Sequence, residues 1–587
     1  MLRLVMQSPP PKNQSSGQTL QMPVSLRMLQ FCRSLKSAPA VLALVAVGMS
    51  ACSSATYQKW ADKEVFGLLR KKASKVPNSG QALLDITPPP PVRMEELRKS
   101  SGKADFLGDR SFVEENARLV SLAEALNFAV HRNRNYLQQK ELVYLSALDL
   151  TLTRQQFTPI FAGRGSSTLN SNKVQTGVNH LVRTSTLATS ADVGFSSLTR
   201  TGALLATNLT TDFLRFITGG RDTGTSQLGF TLAQPLLNGA GYLAASEALT
   251  QGERTVLYVI RHFTQFRKTF AVEVATQYFR TIQARETARN AHLAYMAFNK
   301  TVERETAMAE ANLRSKSSLG RLLQSQITFQ RSWLNALRSY EQALDDLKIQ
   351  LGLPVKERIV LDYKDMDELD ILQPKGTLEE AVNTGLAGRM DLWNSRDRVE
   401  DASRRVVVAK QDTLPSVNSL LNYNIQDNPD RTDFSLISRN RSTSLGLDLD
   451  LNLNQKPERN TMRAAQIAEQ RARRELDLAE EAVRRDVRAG WRDLEVARKQ
   501  YELALRGLEI STARLEVEEA FNAEGQGTAI DLVDAQRDMN TTRDLVISTR
   551  INHTLVRLQL WRDMGVLFIE KDGRWVDVLK NEKPKVE

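Results

Sequence analysis

The chain has 587 residues, 41% of them hydrophobic, with 79 Lys and Arg against 68 Asp and Glu. Five of those bases and none of the acids stand in the first 51 residues, so the remainder carries an excess of only six, mixed along the sequence. That excludes the concentrated basic footprint of a nucleic-acid binder, and two cysteines exclude a disulfide framework.

Taken in order, Arg33 and Lys36 come first, flanking a run of apolar and small residues from Ala38 to Gly48. The run is too short to span a bilayer and reads as the core of a signal peptide, residues 1–51. It ends in Met49-Ser50-Ala51-Cys52, which resembles a bacterial lipoprotein box, with Met49 where Leu is usual. The resemblance implies that Cys52 is lipidated and that Ser53 sorts the protein to the outer membrane. No other stretch approaches 18 consecutive apolar residues. Barrel strands escape that test, because they alternate apolar and polar side chains. Residues 52–115 read as a tether, with a helix from Tyr57 to Lys72 and a stiff run Pro88 to Pro91.

From there the chain is duplicated. Ser121-Leu122-Ala123-Glu124-Ala125-Leu126-Asn127 recurs 256 residues later as Thr377-Leu378-Glu379-Glu380-Ala381-Val382-Asn383, and Pro159 falls on Pro415. Such a repeat governs the whole fold. The first copy spans 116–354 and the second 370–567, followed by a tail, 568–587. Each opens on a capping-box pattern, Ser121-x-x-Glu124 or Thr377-x-x-Glu380, and its helix runs to the proline. Alternating segments follow, within 159–236 and 415–456. Long helices come next, about Tyr242 to Asn312 and Pro457 to Phe521. Breaks at Ser315 to Gly320 and Gly525 to Gly527 lead into final helices that close at Gly352 and Gly565. The copy offset falls to 222 at Pro235/Pro457, so the first copy holds about 34 extra residues between its helix-ending proline and its second strand. These read as a loop insertion, tolerated because loop closure costs little per residue; part of it, Leu204 to Phe216, has strand character.

The second long helix carries a heptad seam. Val487, Leu494, Tyr501, Leu508 and Leu515 recur every seven residues, and so do Val483, Gly490, Ala497, Ala504 and Ser511. This is coiled-coil spacing, with one row large and the other mostly small. In the strand before it, Leu445, Leu447, Leu449, Leu451 and Leu453 alternate with Ser444, Gly446, Asp448, Asp450, Asn452 and Asn454. In a barrel one stripe faces lipid and the other water. A half-buried strand of a soluble sheet has the same period. Two hairpins cannot close a barrel, so several chains must contribute, three giving about twelve strands.

In this order, twice, the pattern resembles the TolC-like outer membrane factors, and more closely their lipoprotein branch. The marks are the two helix-to-proline segments, the strand exit Leu232-Ala233-Gln234-Pro235-Leu236-Leu237, and the turn Phe521-Asn522-Ala523-Glu524-Gly525-Gln526-Gly527. Ile530 to Gln536 resembles the helix that follows that turn. The second copy departs, having Lys456-Pro457 where the first has Gln234-Pro235.

The resemblance implies a mainly α fold with a trimer-shared antiparallel β-barrel. It implies a homotrimeric export duct in the outer membrane reaching into the periplasm, neither enzyme nor cofactor-dependent. Its partners would be a periplasmic adaptor protein and an inner-membrane efflux pump or ABC transporter. Ser317, Ser318, Gly525, Gln526 and Gly527 are then the expected adaptor contacts at the periplasmic tip. Arg314 and Lys316 against Glu524 and Asp531 are the expected gate charges, and Asp448, Asp450 and Asn452 the expected pore lining. Type I protein secretion, or a non-conducting periplasmic coiled-coil lipoprotein, are the competing readings. No catalytic residue, phosphate loop or metal-ligand spacing stands out, and the five histidines are scattered.

Overall fold

The computed structural model describes residues 54–79, 94–100, 104–177, 180–216, 223–311, 316–367, 369–371, 376–427, 440–451, 453–524 and 526–575. Cys52, Arg314, Gly525 and Asn452 lie outside them, as do the side chains of Lys316 and Ser318. The chain divides into two units, Met1–Lys63 and Glu64–Glu587. In the first, the described part is the start of helix α1 (Ser54–Ala73), where Tyr57 and Trp60 meet edge-on. The second unit holds both copies.

In the first copy, β1 (Arg118–Val120) leads into α2 (Leu122–Arg132) and α3 (Arg134–Gln155). The strands β2 (Ile160–Gly177), β3 (His180–Leu198), β4 (Leu204–Phe216) and β5 (Thr223–Pro235) follow. The long helix α4 (Glu247–Glu310) then returns, and α5 (Lys316–Gln350) ends the copy. After β6 (Ile359–Leu361), which pairs in parallel with β1, the order repeats. The second copy has α6 (Leu378–Gly388), α7 (Met390–Gln411), β7 (Ser416–Gln426), β8 (Asn440–Asp450), α8 (Lys456–Ala523) and α9 (Ala529–Asp563).

Both capping boxes form: Ser121 and Thr377 each accept from the backbone N–H three residues on, and Glu124 and Glu380 reach back to the cap N–H. The opening helices are not single, as the sequence suggests. Each turns at one residue, Asn133 (φ −67°, ψ 124°) and Arg389 (φ −76°, ψ 123°), 256 positions apart. No proline marks the turn; a glycine elsewhere in the copy accommodates it. Gly352 and Gly565, both at positive φ, end the last helix of each copy and press on the turn. A Cβ there would lie 2.4 Å from the Arg132 carbonyl oxygen and 2.7 Å from that of Gly388. Only glycine fits such a contact at such a φ.

The strand region corrects the sequence reading. The extra residues of the first copy are not a loop: among the described residues that copy contributes four strands to a sheet of six, in the order β2-β3-β4-β5-β7-β8, antiparallel throughout. The expected two hairpins per chain are therefore too few. Two boundaries also move. Ser317 lies in the first turn of α5 rather than in a break, and β8 stops at Asp450, before Leu451 and Leu453.

The heptad seam packs α8 on α9, and at its N-terminal end Val483 and Val487 also meet α6 and α7. Val483, Val487, Leu494, Ala497, Ala504, Ser511 and Leu515 are buried, and a Cβ on Gly490 would meet Leu560 at 3.3 Å. The four longest helices contact one another in the order α5, α4, α9, α8, which leaves α5 and α8 at the ends of that row; α3 packs on α4, and α7 packs on both α8 and α4. The largest core runs under α4, with Phe263, Phe279 and Tyr278 almost fully buried. Residues 105–114 strap α4 and α5 together. There Glu114, buried, accepts from Arg285 Nε at 2.8 Å and from Tyr340 Oη at 2.7 Å.

Candidate transport pathway

The six-stranded sheet has two chemically distinct faces. Residues paired across strands share a face, so the register sorts them. One row, Phe161, Phe195, Thr207, Phe230, Tyr423 and Thr443, crosses all six strands. The row of Leu205, Leu232, Leu421 and Leu445 lies on the same face. Most of the large exposed apolar side chains of the sheet belong to it: Phe161 at 78% exposure, Leu445 at 76% and Leu447 at 73%. Apolar surface of this extent marks a partner or a lipid phase.

The other face is polar across its width. Arg164, Asp192, Thr210, Gln227, Gln426 and Asn440 form one row, and Asp448 pairs with Asn418. Asp448 and Asp450 lie on this face and are exposed, as their alternation with the leucines predicts. Sequence reasoning missed Asp192 and Asp212, which share the face with them. The signal is present in Ala191-Asp192-Val193, but glycine, serine and threonine dilute the alternation around it. Asp412, between α7 and β7, has its carboxyl held above the usual range by burial and by Glu458.

At the other end of the long helices, Ser317 and Gln526 are exposed, while Gly527 is half-buried and donates its N–H to the Phe521 carbonyl at 3.0 Å. A Cβ on Gly527 would approach the Asn522 nitrogen to 3.0 Å, which ties this turn to glycine. Glu524 caps α8 through its own N–H and presents an exposed carboxylate. Asp531 instead bonds Thr528, whose hydroxyl caps α9 by accepting from the Asp531 N–H at 3.3 Å.

The structure brings together a pair the sequence reading did not single out. Asn522 Nδ2 donates to Glu305 Oε1 at 3.4 Å, with both residues buried, and Arg304 lies 3.5 Å from the same carboxylate. This bond joins α4 to α8, one copy to the other. The signal is the heptad row itself: Asn522 stands seven residues after Leu515, a polar residue on an apolar seam, which fixes register at a cost in stability. A second polar link between the copies is Asn290 Nδ2 donating to Asp544 Oδ1 at 2.7 Å. It lines a cavity of about 300 Å³ among α4, α5 and α9, and burial pushes the Asp544 carboxyl up. Among the described residues no cluster of His, Cys, Asp or Glu could hold a metal ion, and no helix is long and apolar enough to cross a membrane.

A duplicated pair of long antiparallel helices is thus joined at one end to a sheet with one apolar and one polar face. Residues 381–562 match the model of the outer membrane efflux protein family. No curated protein sequence matches the chain. Among solved structures it is similar to the outer-membrane channel OprN, with a TM-score of 0.56 at 13% identity over 82% of this chain and 96% of that one. It is similar to the Campylobacter jejuni CmeC outer membrane channel, with a TM-score of 0.55 at 13% identity over 84% and 93%. The open state of the Neisseria gonorrhoeae MtrE outer membrane channel gives 0.54 at 14% identity over 76% and 89%. Residues 381–562 thus match the outer membrane efflux protein model, and the two copies together share the fold of these outer-membrane channels.

Proposed function

We propose that three copies of this chain form an outer-membrane export duct that passes substrates from the periplasmic side to the outside. The observation that carries this reading is the match between the two edges of the chain. In the sheet, β2 and β8 are the edge strands and run in opposite directions, so β8 of one copy can pair antiparallel with β2 of the next. In the helical layer the edges α8 and α5 each present an unpartnered apolar stripe. Val496, Leu503, Ile510 and Val517 recur every seven residues along α8 at 50–70% exposure, and Leu323, Ile327 and Leu334 lie on α5 at 43–54%. A head-to-tail interface of this kind forms a ring when its rotation closes. Ring closure removes the open strand edges that a membrane does not tolerate.

In this reading Cys52 is the lipid anchor in the outer membrane, and Asp448, Asp450 and Asn452 line the pore. Ser317, Ser318, Gly525, Gln526 and Gly527 meet a periplasmic adaptor, which links the duct to an inner-membrane efflux pump or ABC transporter. Arg314 and Lys316 oppose Glu524 and Asp531 at a gate. Asp531 already serves as a capping partner of Thr528, whereas the exposed carboxylate of Glu524 has no such bond among the described residues. In this reading the duct carries out no reaction of its own, and transport energy comes from the inner-membrane partner.

The test is reconstitution of the purified full-length chain. A heat-modifiable trimer that swells liposomes supports the duct, while a soluble, non-conducting oligomer supports a structural rod. For the gate, the single reversal Glu524→Lys is expected to raise resting conductance, and adding Arg314→Glu, which restores opposite charges, to lower it again; unchanged conductance in the single variant removes these residues from that role.

A further inference from the structure

Two simple hairpins would give this chain four strands; it has six in one continuous sheet. We propose that all six join the barrel wall, so that a trimer closes on eighteen strands and its outer duct is about half again as wide as a twelve-stranded one. The proposal rests on the duct reading above and specifies its bore and lining.

The first argument is continuity. Apart from one irregularity in register near Gly177, every neighbouring pair is matched residue by residue, and rows on both faces run unbroken from β2 to β8. The second is the chemistry of the extra strands. Were β2 and β3 to stand outside the wall, Phe161 at 78%, Leu169 at 63% and Val193 at 59% exposure would face water on the same side as the leucines of β8. Within the wall they extend that apolar band. The third is parity. Six is an even number, so the edges β2 and β8 stay antiparallel and the ring can still close; one extra strand would have made them parallel.

With strands about 4.8 Å apart and tilted about 40°, twelve strands give a backbone diameter of about 24 Å and eighteen about 36 Å. The added strands also change the lining. The polar face carries Asp192 on β3 and Asp212 on β4 besides Asp448 and Asp450, against Arg164 on β2. Hydroxyl and amide groups such as Ser190, Asn208 and Asn422 surround them. A wide, hydrated bore with three net negative charges per chain suits bulky cationic solutes, which it admits without offering an apolar surface to bind them.

Electron cryo-microscopy of the unmodified full-length oligomer in lipid nanodiscs tests this directly. Eighteen strands in one ring, about 36 Å across the backbone, are expected. A twelve-stranded ring with a hairpin outside it overturns the proposal while leaving a conducting duct intact. A second readout uses the double variant Asp192→Asn and Asp212→Asn in bilayers under a salt gradient. The reversal potential is expected to shift toward weaker cation preference. An unchanged potential in a conducting channel means that β3 and β4 do not line the bore. A trimer that conducts nothing contradicts the duct reading itself. If the variant fails to assemble, the strand count of the unmodified chain decides alone.

Discussion

The two long helices descend from one duplicated unit and live in different surroundings. Along α4 of the first copy 25 residues are buried, while along α8 of the second only eight are. Tyr278 and Trp491, 213 positions apart as Gly352 and Gly565 are, show the contrast at one equivalent position. Tyr278 is fully buried and bonds Asp365 and the Val120 carbonyl, whereas Trp491 is half-buried. In the first copy α4 is the fixed core of the chain. In the second α8 is an edge, whose heptad stripe a neighbour would cover in the proposed ring. The two equivalent helices thus differ in how much of their packing lies within the chain.

The sharpest way to break this comparison is to charge the edge. Leu503→Lys with Ile510→Lys is expected to abolish the trimer while leaving helix content unchanged, because both side chains are exposed in the single chain. Light scattering and circular dichroism read the two effects. A trimer that survives means that α8 does not face a neighbour. Truncation then compares the copies within the chain. Tyr278→Ala is expected to cost about 3–5 kcal/mol of unfolding free energy, and Trp491→Ala about half of that. Equal losses would remove the distinction between core and edge.

A pH dependence separates the edge helix from its inner partner. His553 on α9 is fully buried, neither ring nitrogen has a hydrogen-bond partner among the described residues, and burial with Arg557 and Arg498 nearby depresses its pKa to about 4. A depressed histidine pKa means that the folded state holds fewer protons. Its contribution is therefore present above about pH 6.5 and lost as pH falls toward 4, by up to about 3 kcal/mol. His553→Gln is expected to flatten that part of the stability profile; a profile that stays steep assigns the loss to other groups. The smallest effect is the most symmetrical. Ser121→Ala and Thr377→Ala each remove one capping box and are expected to cost about 1 kcal/mol in both copies. A large difference between them would mean that the capping boxes no longer do the same work in each copy.

Much of this was legible in the sequence, and the failures have physical causes. The capping boxes, the terminating prolines and the α8 seam are local signals, and local signals survive tertiary packing. The strand count was missed because the apolar face of β2 carries Gly163, Gly165 and Ser167 between Phe161 and Leu169. Small residues there erase the period of two on which a strand is recognised. The turns at Asn133 and Arg389 were missed because the glycine that makes room for each lies far along the chain. Asn522 was within reach, one step further along a row already counted. Cys52 and Arg314 lie outside the described residues, so their roles rest on sequence alone.

The central claim is that one sheet separates lipid from a water-filled bore. Adjacent positions on β8 test it most directly: Leu447 on the apolar face and Asp448 on the polar one, both exposed in the single chain. In the assembled trimer in a bilayer, a charged, membrane-impermeant thiol reagent is expected to react with Asp448→Cys and reduce conductance, and to leave Leu447→Cys untouched, measured against the unmodified chain. Equal reaction at both positions would contradict the account, because a sheet with water on both faces is not the wall of a channel.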